Sequence, residues 1–337
     1  MHDHCPPAHP PLRERSLLDL PKTHLHVHLD GSYPLAAVEA LARRNGVAFH
    51  VPEGFADVWS FFDAYGQVPK LVRSLEDLAG LCRALIRAEA REGVRYIEPA
   101  IEPQLYAPRL GTLEQVTLAM MAAFAEAAAD TRIEVGALLT INTDEDLEIS
   151  VELARLAAKY AGRGINGLGT AGFQEPGNLR RYRDCAHIAR AAGLPVVSHA
   201  GQTGGADCVE EALDELGATR IAHGFRAIES GDTVKRLADD QIVCDICPIS
   251  NIRLGVVPDM ALHPAPQLLR AGVPVTLNAD DSLWFGAGVT AQFEIARHVW
   301  GMSDDELAQF ARAGARATGM SIATREALLA DIETWRG

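Results

Sequence analysis

One pattern constrains the fold of this 337-residue chain more than any other: short apolar, β-rich runs alternate with longer helical stretches, eight times over. The opening run is Thr23-His24-Leu25-His26-Val27-His28-Leu29-Asp30-Gly31. The others are Val94 to Ile101, Ile133 to Ile141, a glycine-rich Ile165 to Thr170, Pro195 to His199, Arg220 to His223, Ile242 to Ile246 and Val273 to Asn278. Helical signals lie between them. Ser32 and Pro34 make a start and Gly46 a stop. Ser74 with Asp77 caps a helix running to Gly93, and Thr112 with Gln115 forms a capping box for a helix to Ala129. Thr143 with Asp146 opens another. Outer helices are expected over Thr290 to Trp300, Asp304 to Ala315 and Ala323 to Trp335. Eight apolar strands, each followed by a helix, predict a closed (β/α)8 TIM barrel rather than an open sheet.

The domain reading follows. Residues 1–15, rich in Pro and His (His2, His4, Cys5, His9), are expected to form a flexible arm. Residues 16–337 make one barrel domain with an aromatic lid segment around 55–70, centred on Trp59, Phe61 and Phe62. Packing of that segment against the barrel is the competing expectation. No run of 18 apolar residues occurs, and the N-terminus has no apolar leader core, so a soluble, cytoplasmic protein is expected. The formal net charge of −14 argues against nucleic acid or anionic membrane as partner; a small-molecule substrate is expected, and an oligomer is compatible. The six cysteines are scattered and read as reduced. Cys244 and Cys247 form a CxxC with no second pair to complete a four-thiolate site. Gly162 to Gly167 matches GxGxxG but follows a helix and enters a strand, the reverse of a dinucleotide site.

In a (β/α)8 barrel the chemistry sits at the C-terminal edge of the strands. The polar residues collect there: His26 and His28 on strand one, Glu98 and Glu102 on strand two, His199 on strand five, His223 on strand six, Asp280 and Asp281 on strand eight. Alternation along a strand points His26 and His28 the same way, as two ligands of one metal ion require. His24 shares their face but lies one residue pair deeper, and reads as a buried, hydrogen-bonded histidine. A catalytic zinc needs nitrogen and carboxylate ligands and an open position, and His26, His28, His199 and Asp280 supply the set. His223 would then stand behind the metal or carry a proton.

These residues lie in motifs that together resemble the adenosine deaminase family of the amidohydrolase superfamily. They are Leu20-Pro21-Lys22 leading to His26-Val27-His28-Leu29-Asp30-Gly31-Ser32, then Gly93 to Glu98, His199-Ala200-Gly201, Ile221-Ala222-His223-Gly224, Cys247-Pro248-Ile249-Ser250-Asn251 and Leu277 to Asp281. The resemblance spans Leu20 to about Thr318. It implies one Zn2+ per subunit on His26, His28, His199 and Asp280, since no lysine ends strand four to bridge a second metal. Ligand type also leaves Fe²⁺, Mn²⁺ or Co²⁺ open. The implied reaction is hydrolytic deamination of an adenine-like or amino-substituted heterocycle, with zinc bringing the pKa of bound water to about 7. His223 and Asp280 resemble the groups that orient this water and take its proton. Asp281 resembles the partner of purine N7, Gly172 the backbone donor to N3, and Asp30 the contact to the sugar.

The pattern breaks at one catalytic position. The family's His-Ala-Gly-Glu reads His199-Ala200-Gly201-Gln202, and an amide cannot transfer the proton that the glutamate gives to a ring nitrogen. Losing a general acid costs about 10² to 10⁴ in rate. Glu98, Glu102 and Glu175 are replacements if the fold brings them near. Phe173 stands where the family has an acid, and the arginines expected after Glu98 and at the end of strand three are absent. Several coordinated departures read as natural divergence with an altered pocket rather than a single designed substitution. The alternatives are an amidohydrolase with a non-purine substrate and a catalytically attenuated zinc-containing ligand-binding barrel.

Overall fold

The computed structural model describes residues 14–317 and 319–337. The expected arm therefore lies outside the described residues, except for Glu14 and Arg15. Nine strands form one sheet: β1 (Lys22–His28), β2 (Val94–Ile101), β3 (Glu134–Val135), β4 (Ala137–Asn142), β5 (Ile165–Ala171), β6 (Val196–Ala200), β7 (Arg220–His223), β8 (Val243–Ile246) and β9 (Val275–Leu277). All pair in parallel, in the order β1-β2-β4-β5-β6-β7-β8-β9, with β3 also on β2. The ring closes just past β9. There His28 N–H donates to Asp280 O at 3.0 Å and Asp280 N–H to His26 O at 3.2 Å. The molecule is a (β/α)8 barrel.

Local sequence explains most boundaries. Ser74 accepts from Asp77 N–H to start the helix Leu75–Arg91, and the Thr112–Gln115 capping box starts Leu113–Thr131. Gly46 ends Leu35–Asn45 in the left-handed region. Two expectations change. The third strand is split at Gly136, where the Asn166 amide and Tyr96 hydroxyl occupy the space a Cβ would take. The helix Leu147–Lys159 is preceded by Asp146, without a side-chain cap; Thr143 instead donates to Phe173 O at 3.2 Å.

The barrel interior is layered by the two-residue period of the strands. At the N-terminal end Arg220 pairs with Glu98 and Asp245, joining β2, β7 and β8 across the barrel. Two residues along come Leu138, Val197 and Ala222, a small apolar cluster separate from the main core. Two further along come Glu102 and His199. Glu98, expected at the catalytic edge, thus belongs to the opposite end. The main core lies between the sheet and its helices. Among the described residues no helix is long and apolar enough to cross a membrane.

Candidate active site

The histidine strand is not regular. Its register with β2 shifts between His24 and Val27, where the Leu25 and His26 N–H groups both donate to Asn278 Oδ1, at 2.8 and 3.1 Å. His24 consequently leaves the face of the other two. Its Nδ1 meets Glu89 on an outer helix at 2.7 Å, and its Nε2 accepts from Ala279 N–H at 3.0 Å. It is buried and hydrogen-bonded as expected, but it does not share the direction of His26 and His28.

His26, His28 and His199 offer ring nitrogens that all lie within 4.8 Å of one another, and every one of these residues is buried or nearly so. His28 Nε2 and His199 Nε2 are 3.2 Å apart. His199 Nδ1 bonds the Thr170 carbonyl, which turns Nε2 toward the cavity. Asp280 Oδ1 lies 3.0 Å from His26 Nε2 and 3.4 Å from His28 Nε2. Its Oδ2 accepts from Ser250 at 2.6 Å and faces His223 Nε2 at 3.8 Å. Asp280 and His223 have φ of 63° and 68°. Left-handed backbone at bulky residues costs on the order of 1–3 kcal/mol each and persists where the surroundings impose it.

Electrostatics favours neutral imidazoles beside an ionised carboxylate. Burial lowers His28 to about 4 and His223 to about 3, and burial with three neighbouring imidazoles takes His199 well below its usual value. Burial pushes Asp280 up, yet His26 and His223 outweigh it and hold the carboxyl well below the ordinary range. Burial and then Asp280 push the adjoining Asp281 well above that range. Asp281 packs against Gly31, where its Oδ1 would lie 1.7 Å from any added Cβ. Only glycine fits there, which accounts for the Asp-Gly that follows the histidines.

A chain of hydrogen bonds fixes the His223 tautomer. Ala265 N–H donates to His263 Nδ1 (3.1 Å), so His263 Nε2 carries a proton and donates to Asn251 Oδ1 (3.0 Å). The Asn251 amide then donates to His223 Nδ1 (3.5 Å), leaving the proton on Nε2, toward Asp280.

A cavity of about 80 Å³ opens onto this cluster. His28, His199, His223, Asp280, Asp281, Gly172 and Gln202 line it, together with Glu102, Asn142, Phe173, Tyr65, Phe61 and Phe62. Two expected residues are placed differently. Asp30 does not line the cavity; it is buried with its carboxyl bonded by the Tyr106 hydroxyl. Trp59 is 55% exposed and stacks on Phe173, at 5.3 Å, instead of facing the cavity. Of the three replacement acids only Glu102 reaches the site. Glu98 binds Arg220, and Glu175 borders a separate surface groove. Tyr65 and Asn142 had no assigned role from the sequence. For Asn142 the signal was present, since it stands two residues beyond Thr140 on the inward face of β4.

Buried histidines and a carboxylate at the C-terminal mouth of a parallel barrel define a metal-dependent hydrolase. Comparison narrows the class: residues 21–335 match the family described as adenosine deaminase. A relative from Streptomyces coelicolor described as a putative adenosine/adenine deaminase is 35% identical, over 96% of this chain and 98% of its own length. An adenine deaminase from Sinorhizobium medicae is 37% identical, covering 93% and 98%. The crystal structure of an adenine deaminase from Arthrobacter aurescens superposes with a TM-score of 0.86 at 32% identity, covering 94% of this chain and 98% of that one. The chain belongs to the adenosine deaminase family of the amidohydrolase superfamily, whose members hydrolyse C–N bonds to release an amine.

Proposed function

We propose that this protein is a zinc-dependent deaminase of a free adenine-like base. The observation that carries the substrate reading is the cavity wall. It holds Glu102, Asp280 and Asp281 and, among the described residues, no lysine or arginine. A phosphate would find three carboxyl groups and no fixed cation there, which argues against a nucleotide. The cavity is also well below the ~300–1,000 Å³ of pockets that take drug-sized ligands. Asp30, which would greet a sugar, is engaged by Tyr106. Relatives named adenine deaminases support the same choice.

The donor set fits zinc: three imidazoles with nitrogens within 4.8 Å of one another, His28 and His199 among them held neutral by burial, and the ionised Asp280 carboxylate beside His26 and His28. Bound there by His26, His28, His199 and Asp280, zinc would supply the positive charge that makes water nucleophilic near neutral pH. The chain's own groups do the rest. His223, with its proton on Nε2, donates a hydrogen bond that orients the attacking water, and the Asp280 carboxylate accepts the water's proton. Gln202 lines the cavity beside His199, its backbone N–H fixed on Gln174 Oε1 at 3.1 Å. Its amide donates a hydrogen bond to a ring nitrogen and polarises the adjoining carbon without giving up a proton. Asp281 and the Gly172 backbone orient the ring. Phe61, Phe62 and Tyr65, tied through the Trp59–Phe173 stack to the loop after β5, serve as the lid.

Metal-replete protein is expected to release ammonia from adenine faster than from adenosine. Gln202→Glu is expected to raise the rate on adenine by about 10²-fold or more, because it restores the proton donor. Equal or faster turnover of adenosine by the native protein would overturn the free-base reading. Gln202 also favours a second reading, an attenuated ligand-binding barrel. Native protein that binds adenine without releasing ammonia, beside an active Gln202→Glu variant, would select it.

A further inference from the structure

The cavity contains one buried acid that the proposed reaction does not use. Glu102 ends β2 on its inward face, in line with Ala100 and Glu98, and is 3% exposed. Oε2 accepts from the Tyr65 hydroxyl at 3.3 Å and Oε1 from the Gln104 amide at 3.5 Å. The Asn142 side chain adds a further bond, and with only neutral partners the carboxyl keeps acceptor capacity for a ligand N–H. Burial, and then Asp30, raise its pKa to about 8. The carboxyl gains from any further N–H that a ligand brings.

The order of strands decides which part of a ligand reaches it. The histidines, Asp280 and Gln202 come from β1, β6, β7 and the segment after β9, whereas Glu102 and Asn142 stand at the ends of β2 and β4. Around the ring of eight, β2 stands across the mouth from β7, which carries His223, and β4 stands across from β8. A flat bicyclic base with its amine-bearing carbon at the histidine cluster turns its other ring toward Glu102 and Asn142. In a free purine base that ring carries an N–H. In a nucleoside the same nitrogen carries a sugar carbon, which offers no donor and adds bulk.

We propose that Glu102 accepts the ring N–H of the free base at the edge opposite the amine, and that this contact selects a nucleobase over its nucleoside. The proposal rests on the free-base reading above and names the group that enforces it. A site built around a hydrogen bond rejects an analogue lacking it far more strongly than an apolar wall rejects a methyl group, since the buried acceptor is left unpaired.

The test compares adenine with 9-methyladenine, which lacks only that N–H, on metal-replete native protein and on Glu102→Ala and Glu102→Gln. Metal content and circular dichroism are measured on each variant. Native protein is expected to prefer adenine by about 10²-fold or more in kcat/KM. Glu102→Ala should lose the preference, adenine slowing while 9-methyladenine holds or gains in the enlarged cavity. Glu102→Gln, which keeps an acceptor oxygen, should retain part of it. Adenine turnover with no discrimination by the native protein, or an unchanged ratio in Glu102→Ala, overturns the role of Glu102 and leaves the free-base reading standing. No turnover of adenine by native protein or by Gln202→Glu overturns both.

Discussion

The two ends of this barrel both bury carboxylates, yet they treat them in opposite ways. At the N-terminal end the Arg220 guanidinium lies between Glu98 and Asp245, with its Nε 2.7 Å from Asp245. Tyr96 donates to Glu98 at 2.8 Å and Thr276 to Asp245 at 2.6 Å. Each charge there has an opposite charge and a hydrogen bond. At the C-terminal end Asp280, Asp281 and Glu102 face a cavity whose lining holds imidazoles and, among the described residues, no lysine or arginine. A buried acid with its own arginine is finished structure. A buried acid beside neutral imidazoles is set up to receive a cation or a donor from outside the chain.

The largest effects should come from removing one charge at each end. Asp280→Asn keeps the shape of the carboxyl but not its charge, and activity should fall by roughly 10³-fold or more, as when an electrostatic group is lost from the reacting atoms. Metal content should fall with it, while denaturant stability stays near that of the native protein. Rate assays and elemental analysis check this; an active, metal-loaded Asp280→Asn would erase the contrast. Chelation of the native protein should mimic the variant, with zinc restoring the rate. At the other end, Arg220→Met strands two buried carboxylates and should cost about 3–5 kcal/mol of stability. Urea unfolding of the metal-loaded protein reads this directly. A loss of activity without loss of stability would show that the N-terminal layer is not merely structural.

The difference between the ends was only half visible in the sequence. Eight strands, their order and the metal-site residues were legible because each short apolar run ends in His or Asp, and because capping residues such as Ser74 and Thr112 mark the helices. Glu98 and Glu102 looked alike, two acids near one strand end. Their roles diverge because they are four residues apart on the same inward face, one apolar layer between them, and only the second reaches the mouth. Asp30 looked open to a sugar, but nothing local announces that Tyr106, 76 positions away, takes its carboxyl. The bulge after His24 depends on the bond from Leu25 N–H to Asn278, 253 positions on. Long-range partners, not local propensity, decided each residue that moved.

His263 touches neither the metal-site residues nor the cavity, yet it sets the His223 tautomer through Asn251. It is buried and neutral, and burial lowers its pKa from 6.5 to about 4. Between pH 4 and 6.5 the unfolded chain therefore binds more protons at this residue than the folded one does. Stability rises with pH across that window and is lost as the pH falls from 6.5 toward 4. The contribution is on the order of 3 kcal/mol. His263→Gln has no proton to gain, so its stability, lower at pH 7 through imperfect packing, should fall less steeply than that of the native protein on acidification to pH 4.5. Urea midpoints at pH 7 and pH 4.5 for both proteins isolate this term from the other buried histidines, which they share. Parallel slopes would mean that His263 takes up its proton in the folded protein as readily as in the unfolded chain, and that the tautomer of His223 has to be held by something besides this chain of donors.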